Sequence, residues 1–291
     1  MKLKVFVFTV VLSIALCMPL WAQTYYVSSS VGADSNDGLT QSTPLMSATK
    51  VNSLNLVPGD RVLFKCGDTW RVETLVITKS GTEANPITYS SYPEGCQDKP
   101  VFSGSRAISG WEPHSGNIYV ADLAKGNNTG AFPKGINQLF RNGKRLSIGR
   151  WPNIGEADNG YSTIDAAPDL KTITDNELPA ADWTNAVVHI KGMRWYMINR
   201  EVTGSSGTTL SLAVDTECWY GCKGWGYFIN SHMATLDKDG EWFYDSASNK
   251  VYLYSTTGSP ADGDMEGSVV VEDDARFMGA IVLGLHLKTH I

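Results

Sequence analysis

Hydrophobic and polar positions alternate in short runs along most of this chain, and helical periodicity is rare. Residues 58–104 show the pattern best. There the runs 61–65, 74–78 and 87–92 are rich in β-type residues. They are separated by turn clusters at Pro58-Gly59-Asp60, Cys66-Gly67-Asp68, Ser80-Gly81 and 92–100. Strands this short, about a dozen residues apart with Gly, Asn and Pro between them, describe an all-β chain that keeps turning. No helical crossover separates them, which excludes an ordinary βαβ sheet here. A coiling solenoid, with each strand stacked on the one a turn earlier, accommodates the pattern.

The same reading extends in both directions. Residues 24–30 alternate and form a first strand. The run 32–38 (GADSNDG) is a turn, because Asp and Asn side chains bond their own backbone. Its oxygen-bearing side chains leave calcium open as a ligand, although no EF-hand glutamate follows. Residues 43–56 give the one good helix pattern, with Leu45, Ala48, Val51, Leu54 and Leu56 mostly at three-residue spacing. Laid across the end of a solenoid, it serves as an amino-terminal cap.

Beyond Gly104 the pattern changes. Two short β segments flank a turn within 108–122, and Asn142-Gly143 marks a hairpin within 138–148. Residues 154–182 are polar and Pro-punctuated, as in a long surface loop. The runs 186–190, 195–202, 209–213, 241–244 and 251–254 alternate again, and predict a compact antiparallel barrel or sandwich. A short helical turn is expected within 226–237. Residues 268–291 return to short strands and stop inside one, which predicts the amino-terminal portion of a longer protein.

The first residues add a compartment. Lys2 and Lys4, an apolar run over 5–20 and Leu20-Trp21-Ala22 compose a secretory signal peptide cleaved after Ala22. The run is too short for a stable membrane span after cleavage. The expected location is exported: periplasmic, cell-surface or extracellular. Removing the signal leaves 22 basic against 30 acidic residues. An acidic chain without a basic stripe excludes nucleic acid as a partner. Of the five cysteines, Cys17 leaves with the signal. Cys66 with Cys96, and Cys218 with Cys222, are disulfide candidates in an exported chain, with free buried thiols as the other reading. Cys-x₃-Cys without a nearby His pair is a poor zinc signature, so no metal site is expected.

The stretch 25–104, from YYVSSSVGADSNDGLT through PGDRVLFKCGDTW to NPITYSSYPEGCQDKPVFSG, resembles the opening of secreted right-handed parallel β-helix proteins. Many of those are carbohydrate-active enzymes, either glycoside hydrolases or polysaccharide lyases. RNGKRLSIGRWPN at 141–153 and GEWFYDSASNKVYLY at 240–254 resemble an insertion domain of some glycosidases of this class. The resemblance implies a mainly β, pectin lyase-like fold. It divides into a signal peptide (1–22), an amino-terminal cap with the first coils (23–107), an inserted β-rich domain (108–267) and a return to the β-helix (268–291). It implies that the parent degrades a polysaccharide or oligosaccharide as a glycoside hydrolase. The alternatives are a lyase acting on a uronic-acid polymer and a non-enzymatic, adhesin-like glycan binder. Catalytic carboxylates of such enzymes lie on middle coils, expected beyond residue 291, so this stretch alone is expected to be inactive.

Glycoside hydrolysis ordinarily uses two carboxylates about 5–5.5 Å or about 6.5–9.5 Å apart. Asp273 and Asp274 lie where the solenoid pattern resumes and are candidates, against the plainer reading of solvated turn carboxylates. Asp215, Glu217, Asp237, Asp239, Glu241 and Glu272 are further carboxylates that sequence alone does not pair. The five histidines lack metal-ligand spacing, and no Gly-x-Ser-x-Gly elbow or Walker loop is present. Trp219 and Trp225 crowd a Gly-rich loop, and Arg150 adjoins Trp151. All four are candidates for contact with sugar, weighed against roles in the core or scaffold. No cofactor is expected.

Overall fold

The structure, a computed structural model, describes residues 21–218, 221–261 and 263–269. It is mainly β with few helices, and the chain falls into two compact units that divide after Val101. No helix among the described residues is long and apolar enough to cross a membrane.

The first unit holds β1 (Thr24–Val27), α1 (Ala48–Asn52), β2 (Arg61–Lys65), β3 (Thr69–Arg71) and β4 (Thr88–Tyr92). β1, β2 and β4 form a parallel sheet in that order. Tyr25 lies opposite Val62, which lies opposite Tyr89. Val62, Leu63 and Phe64 of the central strand are all buried, as expected where both faces of a parallel strand are covered. The Trp70 and Phe64 rings meet edge to face with centroids 5.1 Å apart, and the Trp70 Nε1 donates to Met46 O at 2.8 Å.

Two expectations change here. The helix is five residues long, not fourteen. Leu45 is drawn into strand-like pairing with β1, exchanging main-chain bonds with Tyr26 and Ser28. Ser47 then caps the helix, its Oγ accepting from Lys50 N at 3.0 Å. The apolar residues still serve, since Leu45, Ala48, Val51 and Leu56 are buried. Residues 74–78 form no strand. Val76 and Ile77 stay exposed, and β-branched residues without a face to bury do not hold a ladder. Asn52 fastens this segment instead, donating to Thr74 O and accepting from Val76 N, both at 2.8 Å.

The 32–38 turn is stitched by its aspartates. Asp34 accepts from the amides of Met46 and Ser47 and from Ser47 Oγ, while Asp37 accepts from Leu39 N and Thr43 Oγ1. Gly32 is required at its start, because a Cβ there would lie 2.2 Å from Leu45 O. Cys66 and Cys96 are disulfide-bonded.

β5 (Val101–Ser103) carries the chain across the division. The second unit follows with β6 (Ser105–Ala107), β7 (Glu112–Ser115), β8 (Ile118–Asp122), β9 (Leu139–Arg141), β10 (Lys144–Arg145), β11 (Arg150–Trp151), β12 (Ser162–Thr163), β13 (Ala166–Asp169) and β14 (Thr172–Thr174). Then come β15 (Val187–Met193), β16 (Tyr196–Ser206), β17 (Thr209–Leu212), β18 (Gly226–Asn230), β19 (Trp242–Asp245), β20 (Lys250–Tyr254) and β21 (Met265–Ser268). Three antiparallel sheets result. Their orders are β10-β9-β21-β6, β19-β20-β8-β7 and β11-β18-β15-β16-β17-β14-β13, with β12 also on β18.

Each path ends on two different edge strands that do not bond each other, so no sheet closes among the described residues. Of the barrel or sandwich expected from the sequence, a closed barrel is therefore not formed among the described residues. Residues 154–182 are not a bare loop either. They carry β12, β13 and β14, strands of two to four residues hidden by their brevity and, in β13, by Pro168 within the strand. Residues 226–237 hold β18 before a single 3₁₀ turn at Met233–Thr235. The β9–β10 hairpin forms as its sequence dictates, with Asn142 and Gly143 at φ 51° and 73°, both left-handed as a type I′ turn requires.

The largest sheet buries one face. Val188 and Ile190 of β15, Ile198 and Val202 of β16, Leu210 and Leu212 of β17, and Tyr227 and Ile229 of β18 converge over Trp183. Trp183 is fully buried, and its Nε1 donates to Pro179 O at 3.1 Å. Cys218 and Cys222 are disulfide-bonded at the margin of this cluster. Replacing Trp183 with Ala should cost about 3–5 kcal/mol, read as a lowered urea midpoint at unchanged slope. A loss below about 1 kcal/mol would show that the core does not centre on this residue.

Candidate functional site

The segment from Arg145 to Arg150 and the turn from Lys238 to Glu241 face each other across a cleft of about 210 Å³, with Asn153 and Ile154 completing the lining. The walls are joined by main-chain bonds: Gly149 N donates to Trp242 O at 2.8 Å and Trp242 N to Ser147 O at 3.2 Å. The Trp242 indole, itself buried, donates to Leu146 O at 3.4 Å.

Glu241 is the carboxyl that the turn folds inward, and it is 4% exposed. Its Oε2 accepts from Lys238 N at 3.0 Å and Asp237 N at 3.2 Å, and its Oε1 from Arg150 N at 3.4 Å. Burial pushes this carboxyl up to about 7, against the pull of those amides, and the Asp237 charge adds to the rise. Both protonation states are therefore populated near neutrality, so the group can donate or accept a proton there.

Around it the charges are tied. Asn153 Nδ2 donates to Asp237 Oδ1 at 2.9 Å and to Glu156 Oε1 at 3.2 Å. Asp239 accepts from the Thr256 amide at 2.7 Å and faces Arg141 at 3.8 Å, and the Thr256 amide chiefly holds it below the usual carboxylate range.

Arg150 lines the same cleft, but its guanidinium turns to the outer face of the large sheet. It lies 3.8 Å over the Phe228 ring and donates to Pro152 O at 3.0 Å and to Gly160 O. Trp151 points the other way, because successive strand residues alternate faces. Its indole packs on the core cluster, 6.1 Å from Tyr227 and 6.3 Å from Trp183. The two neighbours therefore do not stack on each other. Trp225 is half-buried, and its amide bonds Cys222 O at 3.1 Å. Trp219, Asp273 and Asp274 lie outside the described residues. No group of three His, Cys, Asp or Glu side chains among the described residues is placed to hold a metal ion.

Two features escaped the sequence reading. One is the Glu241 cleft, since nothing in a run of turn carboxylates says which one folds inward. The other is the outer face of β18 and β15, where His189 stacks on Phe228 at 4.4 Å with both ring nitrogens on the side-chain oxygens of Asn199 and Asn230. Strand alternation held that signal, since Phe228 and Asn230 flank the buried Ile229.

No family model matches the chain. Over 147 residues it is 38% identical to a lacto-N-biosidase of Bifidobacterium longum subsp. longum, a match that covers 49% of this chain and 9% of that protein. The fold is similar to that of a solved glycoside hydrolase, with a TM-score of 0.62 over 84% of this chain and 45% of the other, at 21% identity. A solved GH136 lacto-N-biosidase from Eubacterium ramulus is 36% identical over 30% of this chain and 14% of its own, with a TM-score of 0.25. The chain spans about a tenth of the length of the curated relative that it matches.

The raised Glu241 carboxyl has a pH signature. Below its ordinary 4.5 it is protonated in both folded and unfolded chains; between 4.5 and about 7 only the folded form keeps the proton. Its contribution to stability therefore falls as pH rises across that window, then levels. Burial lowers His232, which acts in the opposite sense below 6.5, so a difference between two proteins is needed. Melting temperatures of the wild type minus those of Glu241→Gln should drop steadily from pH 4.5 to 7. A flat difference would mean that Glu241 titrates as an ordinary carboxylate.

Proposed function

We propose that this chain belongs to an exported glycoside hydrolase that cleaves an oligosaccharide or polysaccharide. The observation that carries the reading is the 38% identity over 147 residues to a lacto-N-biosidase. The fold-level likeness to a solved glycoside hydrolase supports it independently. In this reading the in-register parallel strands β1, β2 and β4 are the first coils of a right-handed β-helix, and the antiparallel sheets of the second unit are an insertion between coils. The bond cleaved is a glycosidic linkage of the kind a lacto-N-biosidase acts on. The charge balance fits a neutral substrate better than a polyanion, since the chain carries 30 acidic against 24 basic residues.

The test uses the product of the complete gene. It is incubated with a chromogenic aryl lacto-N-bioside and, separately, with uronic-acid polymers. Release of the aryl group with a new reducing end is the expected result. An unsaturated, ultraviolet-absorbing product from the polymers would replace hydrolysis with lyase chemistry. Glycan retention with no turnover of any substrate would leave a binding protein in place of an enzyme.

A further inference from the structure

The cleft beside Glu241 has the attributes of a ligand site that the hydrolase reading does not by itself assign. Its buried carboxyl has spare acceptor capacity, because Oε1 meets only the Arg150 amide, at 3.4 Å. Asn153 is 7% exposed, and its Oδ1 takes no hydrogen bond among the described residues while its Nδ2 is fixed by two carboxylates. Beside these polar groups stand the apolar side chains of Ile148 and Ile154, 39% and 63% exposed. The volume of about 210 Å³ is below the about 300–1,000 Å³ of sites for drug-sized ligands, and suits a single ring. Arg145 and Lys238 stand against Asp239 and Glu241 in the lining, while the Arg150 guanidinium is engaged on Phe228, Pro152 and Gly160, so neither sign of charge prevails, which disfavours phosphate and metal cations alike.

We propose that this cleft is a subsite for one neutral pyranose. Glu241 and Asn153 meet the ring hydroxyls, and Ile148 and Ile154 cover an apolar ring face. That the pyranose is a unit of the enzyme's own substrate rests on the glycoside hydrolase reading. Polar atoms fixed in place beforehand give orientation without an ordering cost, and the aliphatic rim supplies the apolar contact.

The test is a titration of the ¹⁵N-labelled chain with methyl β-galactoside and with methyl N-acetyl-β-glucosaminide at millimolar concentration. Saturable shifts of the Gly240 and Glu241 amides with at least one sugar are expected. Ser147→Trp and Ile154→Lys each alter an exposed rim position and leave the buried framework alone. Each should weaken the titration at least about tenfold. Absence of saturable shifts at those amides, or unchanged affinity in both folded variants, overturns the proposal. The two readings fail separately. Hydrolysis by the complete protein without cleft titration removes the subsite and keeps the enzyme. Cleft titration without hydrolysis keeps the subsite and removes the enzyme.

Discussion

The largest sheet of the second unit depends on one strand that joins its two halves. β16 pairs with β15 through residues 196–201 and with β17 through residues 202–206, with a register shift between Val202 and Gly204 where the partner changes. Every other strand of the largest sheet is reached through it. β15 leads to β18, and so to β11 and β12; β17 leads to β14 and β13. Strands of two residues have too few bonds to stand alone, and they persist as additions to a sheet already formed. β11 is such a strand. Its position against β18 places Arg150, and the Arg150 amide in turn meets Glu241. The cleft is thus the last term in a chain of dependence that begins at β16.

Glu241 shows how structural and chemical roles meet in one group. As a structural residue it closes the turn, gathering the amides of Asp237 and Lys238 on one oxygen and that of Arg150 on the other. Amide donors favour the ionised form, and alone they would hold the carboxyl low. Removal from water and the neighbouring Asp237 charge act against them and prevail. A carboxyl in this balance keeps both its acceptor role in the fold and a proton that is easily gained or lost. Burial therefore produces the chemistry here, and the backbone donors limit how far it goes.

Much of the fold was legible where local chemistry and tertiary demand agree. β2 matches its sequence pattern residue for residue, and Asn142-Gly143 makes its hairpin because both positions need left-handed backbone. The aspartates of the 32–38 turn stitch it as their side chains suggest. Failures came where a tertiary contact overrode a local pattern. Leu45 read as helical but was taken by β1. Val76 and Ile77 read as a strand but found no face to cover. The alternation across 186–213 corresponds to β15, β16 and β17, yet whether such strands close depends on edge pairing, which alternation does not encode. The site was least legible, because the local amides of Asp237 and Lys238 could serve any turn carboxylate, and the wall that buries Glu241 comes from Arg150, 91 positions away.

Aromatic content is a poor guide to where a sugar would bind in this chain. The imidazole of His189 and the guanidinium of Arg150 both lie within stacking distance of the Phe228 ring centre, which requires them to occupy opposite faces. Lys191 Nζ lies 4.4 Å over the Tyr161 ring. Tyr227 is buried, with its hydroxyl on Asp175 at 2.7 Å, and Trp151 turns to the core. A ring whose face is already covered by a cation or by the core has no surface to offer a pyranose. The intramolecular contacts thus spend these aromatic faces on holding the sheet. Trp195 stays 78% exposed, so an aromatic face remains in this unit beside the different chemistry of the Glu241 cleft, where buried polar atoms lie next to an aliphatic rim.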